Sequence, residues 1–307
     1  MKKIIIFIFV AAILTLSACG KDGSPSKSDN VQKSNNSQIN DKVIIQAKEN
    51  ALKYFPSNFK EALAIETKRQ EILLTGCRAD MGNATYDAFI SMKSLYNSYC
   101  GKVNSKLDDT QKKAFEVFLQ KEKEYNIDFD MFTFKVISQQ VFTTGNGDCS
   151  EDYNLMRTQT VRMYCYYLQL TDNPSDSSEL KNILQEQFDD YMFFNNTSKL
   201  EGKSLSELSS ISTQYSPLLR SVLNSTSQVV FDDYKTTFDI YISAMQKFED
   251  SIGIKSESCN SYAYCSKLNT AIICNLYSVL KDMEYPEGMF DEFNYEVNKD
   301  KYLLRWK

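Results

Sequence analysis

The chain of 307 residues has no histidine, and only ten glycines and five prolines. Without imidazole there is no Ser-His-Asp or Cys-His nucleophile system, no histidine-ligated zinc and no histidine pH switch. The few glycines are too scattered for the phosphate-cradling turns of Rossmann or P-loop folds. Collagen-like and low-complexity classes fail on the same count. Aromatic mass is abundant instead: 19 Phe, 19 Tyr and one Trp, within a hydrophobic fraction of 42%. That is enough apolar side chain for most of the chain to bury a core.

At the N-terminus Lys2 and Lys3 precede an apolar run, Ile4 to Leu16, closed by Leu16-Ser17-Ala18-Cys19. A basic n-region before an apolar h-region is the grammar of a secretory signal. The run falls short of the about 20 residues a helix needs to span a bilayer. With small residues directly before a cysteine, the segment resembles a bacterial lipoprotein signal peptide with its lipobox. The resemblance implies removal of residues 1–18, diacylation of the Cys19 sulfur and acylation of its amine, with palmitate-type chains holding the membrane. Two or three chains anchor stably where one is marginal. In proteobacterial lipoproteins an Asp after the lipidated Cys marks inner-membrane retention. Gly20 therefore implies the outer membrane, with the protein facing the periplasm.

Removal of Lys2 and Lys3 leaves 33 basic residues against 40 acidic ones, net −7. That balance argues against nucleic acid and anionic headgroups as partners, and points to a cationic protein. Residues 19–41 comprise Cys19 and a stretch rich in Ser, Asn, Lys, Asp, Gly and Gln, with Val31 and Ile39 its only strongly apolar members. Such a segment cannot bury enough surface to offset its ordering entropy, and reads as a tether reaching roughly 25–28 Å.

Residues 42–307 read as a single helical domain, either one bundle or two sub-bundles meeting near 172–204. The expected fold is all-α, a disulfide-stapled bundle of about nine to eleven helices. Phe231, Tyr234, Phe238, Tyr241, Met245, Phe248 and Ile252 repeat at 3-4 spacing. So do Tyr153, Met156, Thr160, Met163 and Tyr167, and Leu268, Ile272, Leu276, Val279 and Met283. This period puts one face of each helix against a core. Capping-box spacing at Asp108/Gln111, Asp148/Glu151, Asp176/Glu179 and Ser204/Glu207 marks helix starts, and Ser216-Pro217 reads as a cap followed by an N1 proline. Glycines 76, 82, 101, 145, 147, 202, 253 and 288 read as turns. The resulting helices are 42–54, 57–75, 84–100, 109–126, 129–143, 149–171, 177–196, 205–214, 217–252, 260–283 and 288–303. The break near 126–128 is open to reading as a kink, and 224–228 as a split in the helix 217–252.

Beyond Cys19 there are seven cysteines, which an exported chain should largely oxidise. Partners at opposite ends of one helix are too far apart: sixteen residues rise about 24 Å, while bridged Cα atoms lie within about 7 Å. An up-and-down chain then predicts Cys77–Cys149 and Cys100–Cys165, with a local Cys259–Cys265 bridge and Cys274 as a buried free thiol. No C-x2-C pair or histidine supports a metal, and no cofactor is expected.

Catalytic patterns are incomplete. Gly202-Lys203-Ser204-Leu205-Ser206 lacks the last glycine of a nucleophile elbow. Asn146, Asp148, Ser150 and Asp152 mimic a calcium loop, but its twelfth position is Arg157. Glu257-Ser258 is the one position compatible with a transglycosylase-like carboxylate. The doublets Asp189-Asp190, Asp232-Asp233 and Glu249-Asp250 read as solvated helix positions. Tyr166, Tyr262, Tyr264 and Trp306 form the candidate binding surface, since tyrosine suits interfaces as well as cores. The resulting expectation is a non-enzymatic binding lipoprotein, with immunity proteins or inhibitors of envelope-acting toxins or lysozymes as a subclass. A carboxylate-dependent peptidoglycan-acting enzyme and a small-molecule binder are the alternatives.

Overall fold

In this computed structural model the described residues are 59–76, 78–132, 150–171, 203–254 and 261–281, with single residues 41, 42, 45, 48, 49, 55 and 200. They contain seven helices: α1 Phe59–Thr75, α2 Arg78–Asn104, α3 Asp109–Phe132, α4 Ser150–Leu170, α5 Leu205–Ser221, α6 Ser225–Ser251 and α7 Ser261–Leu280. Among the described residues there is no strand, so the chain is all-α there. Seven helices stand against the nine to eleven expected. Predicted helices 42–54, 177–196 and 288–303 lie wholly or mostly outside the described residues.

Capping chemistry sets two starts as the spacing predicts. Asp108 Oδ1 accepts the N–H groups of Thr110 and Gln111, each at 2.8 Å, and Gln111 Oε1 accepts the Asp108 N–H at 3.0 Å. Ser204 and Glu207 form the reciprocal box at α5. These bonds satisfy donors that a helix start otherwise leaves without partners. The boxes at Asp148/Glu151 and Asp176/Glu179 rest on side chains outside the described residues.

Other boundaries move. Gly82 and Gly101 lie inside α2 with open space where a Cβ would stand, so neither is a turn. The polar break expected at 126–128 is absent: α3 continues to Phe132, because Asn126, Ile127 and Asp128 enter the core rather than solvent. Pro217 is inside α5, not at a start. The carbonyl it leaves unpaired belongs to exposed Thr213, where water can serve it. The true break comes at 222–224. Asn224 caps α6 through the Ser227 N–H at 2.9 Å. Gly253 ends α6 at φ 80 in a Schellman arrangement, with Ile254 N–H to Glu249 O at 3.0 Å and Gly253 N–H to Asp250 O at 3.2 Å.

The chain forms two compact units. The first is the chain up to Leu95 with Asp148–Arg157; the second is Tyr96–Gly147 with Thr158–Lys307. The division falls inside α2 and α4, whereas the sub-bundle meeting expected near 172–204 lies mostly outside the described residues.

In the second unit α3 runs antiparallel along α6, α5 pairs with α7, and α7 also touches α6. An aromatic ladder sets the first pairing. Phe118 stacks on Phe248 at 5.6 Å, Tyr125 on Tyr241 at 4.6 Å, and Phe132 on Tyr234 at 4.3 Å. Residue numbers rise along α3 as they fall along α6. At the ladder's end the cap residue Gln111 donates to the Ser251 carbonyl at 2.9 Å. Each such aromatic pair adds about 0.5–1.5 kcal/mol beyond its area burial. The whole predicted α6 stripe, Phe231 to Ile252, is buried.

Candidate functional site: a buried arginine–carboxylate–tyrosine cluster

Helix α4 carries the polar interior of both units. From Asp152 to Tyr166 every described side chain is buried, although this stretch includes Arg157, Thr158, Gln159, Thr160 and Arg162. Apolar residues fall on all sides of the helix: Tyr153, Leu155, Met156, Val161, Met163, Tyr164 and Cys165. No face is left for water, so the arginines must find partners inside.

In the second unit Arg162 is ion-paired with Glu122 of α3. Its Nη1 donates to the Tyr241 hydroxyl at 2.5 Å. Tyr241 in turn donates to Glu122 Oε2 at 3.2 Å, and Tyr96 of α2 donates to Glu122 Oε1. The guanidinium also lies 5.2 Å from the Phe118 ring centroid, within cation–π range. One turn along α4, Tyr166 donates to Glu249 of α6 at 2.6 Å. Asn126 and Gln159 exchange two amide bonds at 3.1 and 2.6 Å. Tyr234 donates to Asn269 of α7 at 2.8 Å.

The first unit repeats the chemistry on a smaller scale. Tyr153 donates to Glu66 of α1, Arg157 Nε lies 3.6 Å from the same carboxylate, and Arg69 sits 4.5 Å over the Tyr153 ring. On α4 the order is Tyr153, Arg157, then Arg162, Tyr166: each arginine has a tyrosine four residues away, on the same helix face.

The electrostatics keep the tyrosines and thiols protonated and Arg162 charged. Burial raises Tyr96 and Tyr241, against the pull of Arg162. Burial raises Tyr153 and Tyr234 too. Burial alone would lower Arg162, but Tyr241, Tyr166, Cys265 and Tyr96 outweigh it and the guanidinium titrates above its ordinary value. Tyr96 and Arg162 pull the Cys100 thiol down, and Arg162 and Tyr241 pull Cys265 down, yet burial pushes both thiols from 9.0 up to about 11. Burial does the same to Cys274. A nucleophilic cysteine needs a lowered pKa; these are shifted the other way. Arg162, Glu122, Tyr166, Tyr241 and Glu249 are each 1% exposed. The arrangement ties the helices of each unit together through buried polar bonds.

The predicted site residues scatter. Cys100 and Cys165 do not form the expected bridge. The residues that meet between α2 and α4 are Tyr99 with Tyr164 and Tyr167, at 5.4 and 6.4 Å. Each cysteine is one position from its meeting tyrosine, and so turned about 100° around its helix. Cys265 is free, which removes the Cys259–Cys265 bridge: Cys265 lies within the first turns of α7 rather than in a loose segment before it. Cys274 is a free, partly buried thiol. Cys19, Cys77, Cys149, Cys259 and Trp306 lie outside the described residues, as do the side chains of Tyr262 and Tyr264. Tyr166 belongs to the core and not to a binding surface, since its hydroxyl has a buried carboxylate to meet. Glu249 is buried for the same reason, not solvated as its doublet suggests. Asp232 does stay at the surface, paired with Arg220 at 3.0 Å. Asp152 and Arg157 of the calcium-like pattern are buried. Glu257, Ser258, Asp189 and Asp190 lie outside the described residues.

Sequence reading misses Arg162, Glu122, Tyr96, Tyr241, Glu66 and Arg157. The available signal was in α4: a helix with apolar residues all round cannot leave its arginines in water.

No protein-family model, no curated protein and no solved structure matches the chain. Among the described residues no helix is long and apolar enough to cross a membrane, and no group of three or more Cys, Asp or Glu is placed to hold a metal ion.

Proposed function

We propose that this chain is an exported, lipid-anchored helical protein that acts by binding rather than by chemistry. The observation that carries the reading is Leu16-Ser17-Ala18-Cys19 at the end of a basic–apolar leader. Acyl chains on Cys19 hold the membrane, and Gly20 directs the protein to the outer membrane, facing the periplasm. Burial of the ionisable cluster supports a binding role, because the groups best suited to catalysis are committed to each other. The acidic balance of the processed chain favours a cationic protein partner, and an immunity protein or inhibitor against an envelope-acting toxin or lysozyme fits that description.

In the first unit Cys77 and Cys149, which stand directly before α2 and α4 in the sequence, are the pair left to form a staple. With the helices expected at 42–54, 177–196 and 288–303 the seven described helices become ten.

Metabolic labelling with a palmitate analogue tests the anchor: wild type should incorporate label and Cys19→Ala should not. Label retained by the variant overturns lipidation at Cys19. Pull-down from envelope extracts at low and high salt tests the partner, which should be lost at high salt. Peptidoglycan clearing by the purified protein in a zymogram overturns the non-enzymatic reading.

A further inference from the structure

We draw no further inference here: the strongest candidate, the half-buried aromatic face that Tyr215 of α5 and Tyr277 of α7 present beside exposed Leu218 in the second unit, has nothing in the structure to show what covers it.

Discussion

Arg162 donates to the hydroxyl of Tyr241, 79 residues further along the chain, while both engage the Glu122 carboxylate. With Tyr96 of α2 donating to the same carboxylate, four helices, α2, α3, α4 and α6, converge on one buried ion pair. Such a pair adds little net stability over a well-packed apolar core, but removing one partner strands a charge.

Arg162→Met should destabilise the second unit by about 3–5 kcal/mol, because Glu122 is left buried without its cation. Pairing it with Glu122→Leu should recover much of that loss. Urea unfolding of the single and double variants gives the coupling. Additive losses would mean that the two side chains do not depend on each other.

Stability should fall under alkali, starting with the thiols. Cys100, Cys265 and Cys274 are raised from 9.0 to about 11 by burial. Their contribution is complete below pH 9 and is lost as pH rises toward 11, since the unfolded chain releases those protons first. The buried tyrosines add to the loss above pH 10, again because burial raises them. Urea midpoints measured from pH 7 to pH 11 should decline across that window. Cys265→Ala should flatten the early part of the curve, and an unchanged curve would count against a raised thiol there.

The glycines of α2 and of the α6 terminus should respond in opposite directions to alanine. Gly101→Ala should stabilise by about 0.5–1 kcal/mol, since that helix position is open and glycine is a poor helix former. Gly253→Ala should destabilise by about 1–2 kcal/mol, because its φ of 80 places a Cβ against the following carbonyl. Thermal melts of the two variants are sufficient, and a shift of the same sign in both would contradict the helix boundaries.

The buried Cys165 thiol should be slow to react. In native conditions a disulfide-exchange reagent should leave Cys165 unmodified for as long as the fold persists, and label it quickly in urea. Peptide mapping without reductant should find Cys100, Cys165, Cys265 and Cys274 unbridged. A Cys100–Cys165 peptide would restore the pairing expected from the up-and-down chain.

Truncation within the aromatic ladder should cost more than any surface change. Phe118→Ala removes contacts with Phe115, Phe248, Tyr166 and Tyr241 and a ring against Arg162, and should cost about 3–5 kcal/mol in urea unfolding. A loss under about 1 kcal/mol would show that the α3–α6 face repacks around the gap.

By itself the sequence determined the helical class, two of the helix starts and the α6 stripe. These rest on local rules: a 3.6-residue period and a side-chain oxygen placed three residues before its N–H need only neighbouring residues. The tertiary structure alone decided the interior. Asp108 and Ser204 announce their roles within four residues, but Glu122 and Glu249 look like any exposed acidic residue until Arg162, Tyr241, Tyr96 and Tyr166 arrive from other helices. The cysteines went wrong for the same reason. Spacing along a helix gives height, not direction, and a rotation of one residue faced Tyr99 toward Tyr164 and turned Cys100 and Cys165 aside.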